Sequence, residues 1–222
     1  MEHTVKILQI NQITHDVKEF ITDKPQGYTF EPGQATVVAI NKEGYEGQKR
    51  PFTFTSLNDD ENLGFTIKIY SDAHGVTDAM DDLREGDELI INNPWGAIRY
   101  KGPGYFIAGG AGITPFIAIL RQLKKDNQVD GNMLFFSNKT TRDVILEDEL
   151  RDILGDNALF TLTREDKPGY LNGRIDEAFL RKHVRDFSKP FYVCGTPEMT
   201  REINQVLEKM GAPSDSIIFE GK

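Results

Sequence analysis

Residues 50–56 read RPFTFTS, and three features of that run could do chemistry. Arg50 offers a planar guanidinium whose fork of donors matches a phosphate. Phe52 and Phe54 alternate with Thr53 and Thr55, so an extended strand puts two rings on one face and two hydroxyls on the other. A plain core strand would carry Val or Ile in the hydroxyl positions. A second run, GGAGITP at 109–115, sits between a strand-like YFIA and an amphipathic FIAILRQL. Strand, glycines and helix in that order are the context of a phosphate-binding turn. Gly109, Gly110 and Gly112 permit a tight turn and close approach of a ligand. The helix that follows, with Pro115 in its first turn, presents unsatisfied N–H groups to an anion. The run is not a clean GxGxxG, because Pro115 takes the last place, and it lacks the GK[ST] of an NTPase loop. Taken alone, it reads equally well as a glycine turn that packs a helix.

The next strand, MLFFS, sharpens the choice. In a dinucleotide fold an acidic residue beyond the second strand binds the ribose hydroxyls. Here the chain continues Ser137-Asn138-Lys139-Thr140, which offers donors in place of a carboxylate. Donors suit a 2′-phosphate, hence NADPH, with NADH as the second choice. Arg164, at the end of the third strand of this half, supplies a further charge.

These residues must be held by two different kinds of element. Before residue 100 the chain shows short β-rich runs broken by Gly, Pro, Asn and Asp: TVKILQINQIT, EFITDK, ATVVAI, PFTFTS, GFTIKIY and DELIINN. Such spacing predicts an antiparallel barrel or sandwich. One short helix, TDAMDDLRE, interrupts it, with Thr77 or Asp78 as its cap. After KGPG at 101–104 strands and helices alternate, which predicts a parallel sheet covered on both faces. In this half TTRDVILEDELRDIL is read as mostly helix.

Composition narrows the class. The net charge of −9 argues against nucleic acid as a partner. Residues 1–100 hold 9 Lys and Arg against 17 Asp and Glu, while residues 101–222 hold 17 against 18. The second half therefore accepts an anionic ligand more readily. No apolar run approaches the roughly 18 residues of a membrane span, and MEHTVKILQI does not read as a secretory signal. The single cysteine, Cys194, excludes an internal disulfide and a cysteine-ligated zinc or iron–sulfur site, so no metal is expected. A reducing cytoplasm and a monomer are the simplest expectations.

Six stretches, in order, resemble the motifs of the ferredoxin–NADP reductase superfamily of flavoprotein reductases. FEPGQ at 30–34 is similar to its FxPGQ turn, RPFTFTS to its RxYSxxS flavin motif, and GVTDAM at 75–80 to its G-V-S-x-x-L segment. NPWG at 93–96 is similar to its P-x-G bend, GGAGITP to its GxGxxP loop, and CGTPEM at 194–199 to its C-G-x-P-x-M segment. The resemblance implies an N-terminal antiparallel Greek-key β-barrel for flavin over residues 1–100. It implies a C-terminal α/β Rossmann-like parallel sheet for NAD(P) over residues 101–222. It implies an FAD-dependent NAD(P)H oxidoreductase that passes hydride from NADPH to flavin. Single electrons then pass to a separate acceptor such as ferredoxin, flavodoxin or an oxygenase component. A flavin-binding sensor or docking module with little turnover is the alternative. FAD is preferred over FMN because GVTDAM adds a diphosphate site beside Arg50.

By that resemblance Arg50 pairs with the flavin diphosphate, Pro51 and Phe52 pack on the cofactor, and Thr53 meets the flavin ring near the atom that receives hydride. Ile67 and Lys68 line the flavin edge, and Gly75, Val76 and Thr77 hold the diphosphate. Gly110, Gly112, Ile113 and Thr114 receive the NADP pyrophosphate. Ser137, Lys139 and Arg164 take the 2′-phosphate, and Cys194, Gly195 and Pro197 border the nicotinamide. Thr53, Cys194 and Glu220 stand nearest the reacting atoms. Two departures are visible: Phe52 replaces the family's tyrosine, losing a phenol, and Thr53 replaces its serine. Phe219 is read as part of the last strand, so a terminal aromatic lid is not expected. His74 is read as an exposed loop residue. Trp95 is read as touching flavin or adenine, or as packing at the domain junction. Arg174 is read as touching nucleotide or capping the next helix.

Overall fold

The structure is a computed structural model and describes residues 1–70, 75–96 and 98–219. Six strands form the N-terminal sheet: β1 (His3–Thr14), β2 (Val17–Thr22), β3 (Ala35–Ile40), β4 (Arg50–Thr53), β5 (Leu63–Lys68) and β6 (Glu88–Ile91). Their order is β4-β3-β6-β1-β2-β5, with every pair antiparallel. The RPFTFTS run closes the ring. After Thr53 it leaves β3, and Thr55 N donates to the Gly64 carbonyl at 2.8 Å while Phe54 bridges to Phe65. The result is a Greek-key barrel without a free edge at this seam.

The barrel is filled by inward-facing residues such as Phe20, Val38, Leu63 and Leu89. Phe54 is fully buried and stacks on Phe30 at 4.2 Å. Each such side chain contributes roughly 1.5–3 kcal/mol by leaving water. Helix α1 (Val76–Ala79) and a 3₁₀ turn over Met80–Asp82 plug one end, burying Val76, Met80 and Leu83 in the same core. The cap differs from expectation. Gly75 is the N-cap, with no side-chain cap bond, because burying Val76 starts the helix ahead of Thr77.

The C-terminal sheet holds β7 (Tyr105–Gly109), β8 (Met133–Asn138), β9 (Ala158–Leu162), β10 (Leu171–Asn172), β11 (Phe191–Cys194) and β12 (Ile217–Phe219). The order is β10-β9-β8-β7-β11-β12, all parallel. Helices α2 (Thr114–Lys125), α3 (Glu147–Leu154), α4 (Glu177–His183) and α5 (Pro197–Lys209) connect them. Both faces are covered, so the strands read as unbroken apolar runs. Alternate residues serve alternate layers. Phe106 and Ala108 join the core with α2 and α3, whereas Tyr105 and Ile107 join the core with α4 and α5. The long helix expected over 140–154 is shorter. A 3₁₀ turn at Thr141–Asp143, held by a Thr140–Asp143 capping box, comes first, and Leu146 at φ 51° breaks the chain before α3. The two-residue β10 carries too little pattern to be read from sequence.

The two sheets are joined by α2. Its core face continues into the barrel through Val17 and Ile98. Arg121 on α2 donates to the Thr55 carbonyl at 2.6 Å and makes a bidentate pair with Glu149 of α3 at 2.6 and 2.8 Å. One turn later Lys125 pairs with Asp59. The barrel strand that carries RPFTFTS and the helix that follows GGAGITP are therefore bolted together.

Candidate active site

Strand order reverses at β7, which has β8 on one side and β11 on the other. Ligands of open α/β sheets bind at the carboxyl ends of strands at such a point. The loop after β7 is Gly110–Ile113, a 3₁₀ turn that leads into α2, and the loop after β11 begins at Gly195. These loops touch. A Cβ on Gly112 would overlap the Cys194 carbonyl, and one on Gly109 or Gly195 would meet the Met199 sulfur. Glycine is required here by contact between the two loops as well as by the turn. At Gly110 the backbone takes φ 52°, and the space where its Cβ would stand is open.

The barrel faces these loops across a cleft of about 270 Å³. Its barrel wall includes Ala35, Pro51, Phe52, Thr53, Thr66, Ile67, Lys68, Tyr70, Thr77 and Trp95; its α/β wall is Ala111, Gly112, Thr114, Cys194 and Gly195. Phe52 and Thr53 line the same cavity, so the strict alternation read from RPFTFTS does not hold. The cause is the hand-over of the strand from β3 to β5. Beyond it, Phe54 enters the core and Thr55 hydrogen-bonds Thr66 at 3.2 Å. Thr53 itself is buried, yet it reaches the cleft.

Charge in the cleft comes from Lys68. Its Nζ lies 2.7 Å from the Asp16 carboxylate on the β1–β2 turn. Burial alone would raise the Asp16 carboxyl, and the Lys68 ammonium overrides it, holding Asp16 below the ordinary carboxylate value. Arg50 is exposed at the start of β4, three residues from Thr53, and donates to the Lys49 carbonyl at 2.9 Å. That is on the order of 10 Å along the strand, which leaves Arg50 outside the residues that line the cleft. Gly75 heads α1, and Thr77 of α1 lines the cleft.

A second cavity of about 370 Å³ opens at the ends of β8 and β9. Ser137, Lys139, Thr163, Arg164 and Arg174 line it together with Thr196, Glu198 and Glu202. Asp176 caps α4 by accepting from Phe179 N at 2.8 Å. The capping alternative for Arg174 therefore falls away, and the side chain sits in the cation cluster.

Residues 106–205 match the family described as the oxidoreductase NAD-binding domain, and residues 2–84 match an FAD-binding domain. The two matches together take in most of the chain, one on each sheet. The chain belongs to the ferredoxin–NADP reductase superfamily. A ferredoxin NADP+ reductase from Neisseria gonorrhoeae, solved with bound FAD and NADP, superposes with a TM-score of 0.86 at 22% identity, covering 99% of this chain and 98% of that one. The reductase component of the naphthalene 1,2-dioxygenase system of Pseudomonas putida is 21% identical over 95% of this chain. The propane 2-monooxygenase reductase component of Rhodococcus jostii is 25% identical over 97% of it. The chain spans 66% and 62% of these two relatives' own lengths.

The superfamily reading puts most of the motif residues at the two cavities, with informative exceptions. Ile113 and Val76 are buried, so only their backbones are available to a ligand. Pro197 lines a different hollow, on the far side of Cys194 and Gly195 with Phe219. Cys194 is buried at the strand end, where a packing role suffices. Glu220 and His74 lie outside the described residues. Tyr70, Ala35 and Thr66 were not singled out from sequence; Tyr70 had a signal, standing two residues beyond Lys68 at the end of the same β-rich run. Trp95 is half exposed and lines the cleft. No helix among the described residues is long and apolar enough to cross a membrane.

Proposed function

We propose that this chain is an FAD-dependent NAD(P)H oxidoreductase that delivers electrons to a separate acceptor. The observation that carries the reading is the cleft itself. Thr53 and Lys68 of the barrel face Gly112 and Cys194 of the α/β sheet across one small cavity, at the switch point of the parallel sheet. FAD, when bound, supplies the chemistry by taking a two-electron equivalent and releasing electrons singly.

The chain's own residues bind and orient. Arg50, with Gly75, Val76 and Thr77, holds the diphosphate; Pro51, Phe52, Ile67 and Lys68 line the flavin edge, and the Thr53 hydroxyl is offered to the flavin ring. Gly110, Gly112, Ile113 and Thr114 receive the dinucleotide pyrophosphate. Cys194 and Gly195 border the nicotinamide, with Pro197 behind them. Ser137, Lys139 and Arg164 favour NADPH over NADH, since three donors at one cavity suit a phosphate. Residues 1–100 form the flavin unit and 101–222 the nucleotide unit. The acceptor is a ferredoxin, a flavodoxin or an oxygenase component, a reading supported by the reductase components among the relatives.

A visible spectrum and a steady-state assay test this directly. The purified protein is expected to show flavin absorbance and to reduce an artificial one-electron acceptor faster with NADPH than with NADH. A colourless protein that takes up no FAD, or one that turns over with neither nucleotide, would sink the reading. Arg50→Ala is expected to lose flavin, and full retention would refute the role of Arg50.

A further inference from the structure

Two large aromatic side chains are exposed among the described residues, Tyr70 at 51% and Trp95 at 49%, and both line the cleft. Two exposed rings on one cleft are aromatic surface on which a flat ligand can stack. Tyr70 continues the β5 run beside Lys68. Trp95 comes from a different place, the bend after β6, and its anchoring is unusual. Its N–H donates to the Ala35 carbonyl at 2.8 Å, and its own carbonyl accepts from Ala35 N at 2.7 Å. Gly96 follows at φ 144°, and a Cβ there would lie 3.3 Å from Gln34 Cα, so the bend lies flat on β3. The backbone fixes Trp95 in place, and its indole is left over.

Ala35 is paired to Thr53 on one side and to Trp95 on the other. Thr53, Ala35 and Trp95 therefore stand side by side on three adjacent segments. Between the two larger residues Ala35 presents a single methyl. Opposite, the α/β wall includes Ala111, Gly112 and Gly195, which are equally small, beside Thr114 and Cys194. A gap at Ala35 between Thr53 and Trp95, facing the glycines of the other wall, describes a slot for a flat ring.

We propose that Trp95 is a cofactor-contacting residue whose indole covers part of the flavin ring seated beside Thr53. This rests on the flavin reading above. Trp95 sits on the barrel wall with Thr53, which assigns it to flavin rather than to the nicotinamide. It gives this chain an aromatic cover from the linker side of the barrel.

The test uses full-length protein stripped of flavin and titrated with FAD, as wild type, Trp95→Phe and Trp95→Ala. Trp95→Ala is expected to bind FAD about tenfold more weakly, with several-fold brighter fluorescence per bound flavin. Trp95→Phe is expected to recover most of the affinity. The thermal midpoint of the stripped protein is expected to stay unchanged, because the indole is half exposed and its anchor is backbone. Unchanged affinity and flavin fluorescence in Trp95→Ala, with normal FAD uptake by the wild type, would overturn the proposal alone. No FAD uptake by the wild type would overturn the flavin reading and the proposal with it. A lowered thermal midpoint of stripped Trp95→Ala, with fluorescence per bound flavin unchanged, would also overturn it, since Trp95 would then be a packing residue.

Discussion

Replacing Arg121 by Met separates the contribution of the bolt between the two sheets from that of the cleft. Arg121 makes three short bonds, two to Glu149 and one to the Thr55 carbonyl. Its side chain is 25% exposed and that of Glu149 is 32% exposed, so solvent screens the pair only in part. Breaking a fully buried pair costs about 3–5 kcal/mol, much of it from the charge left behind. With Glu149 able to rehydrate, about 2–3 kcal/mol is expected for Arg121→Met. The double variant Arg121→Met, Glu149→Leu removes the stranded carboxylate as well. It is expected to recover more than half of that loss, leaving roughly 1 kcal/mol for the unsatisfied Thr55 carbonyl. Urea midpoints of the wild type, both single variants and the double variant close the thermodynamic cycle. The functional readout is separate. Thr55 follows Thr53 by two residues and Arg121 follows Gly112 by nine, so loosening the bolt shifts one cleft wall against the other. The turnover number is expected to fall while flavin content holds. A cycle with no coupling between positions 121 and 149 would show that the pair does not act as a unit, and a turnover number unchanged despite lost stability would show that Arg121 does not hold the cleft walls in register.

Three further outcomes follow from the same geometry. Tyr192 is buried with its hydroxyl donating to the Gly102 carbonyl and accepting from Lys101 N, each at 2.8 Å, and burial pushes its phenol up to about 12. Its raised value means the stabilisation is intact below about pH 10 and is lost as pH rises toward 12; Tyr192→Phe is expected to lose about 1–2 kcal/mol at neutral pH and to lack that alkaline component in urea midpoints. The Asp16 carboxyl is held below its ordinary value by Lys68 despite burial, so its contribution is present above about pH 4 and is lost as pH falls through the lowered value. Asp16→Asn is expected to flatten that acid limb, and an unchanged acid limb would remove Asp16 from the account. Arg164→Ala is expected to raise the KM for NADPH about tenfold or more with kcat and the KM for NADH little changed; equal effects on both nucleotides would place Arg164 away from the 2′-phosphate.

Much of this was legible because local chemistry and the fold agreed. A strand that needs glycines at its end, a helix that begins with proline, and donors where an acid would bind ribose are all read within a few residues of one another. The parts that were misread depend on distant partners. Nothing within RPFTFTS itself says that the strand changes partners after Thr53, because the new partner, Gly64, lies outside the run, across the turn that follows it. The start of α1 at Gly75 is set by burying Val76 in a barrel built from other strands. Leu146 breaks the helix before α3 at a left-handed φ that glycine or asparagine normally marks, so the sequence carries no warning of it.

The same distinction explains why Phe52 matters less as a strand residue than as a cleft residue. It is only partly buried, packs against the barrel core with one side and lines the cleft with the other. A tyrosine there could extend a phenol toward a bound ring; phenylalanine keeps the apolar contact and gives up that hydrogen bond. If the phenol were needed to hold flavin, Phe52→Tyr would bind FAD more tightly by about five- to tenfold, the value of one neutral hydrogen bond. If instead Trp95 and Tyr70 already cover the ring, the gain would be small, and adding Phe52→Tyr to Trp95→Ala would restore more affinity than adding it to the wild type. We expect the second result, because the two exposed aromatic rings of the described chain both stand on this cleft. Equal gains in the two backgrounds, measured by FAD titration of stripped protein, would show that Phe52 and Trp95 act independently and would remove the argument for compensation.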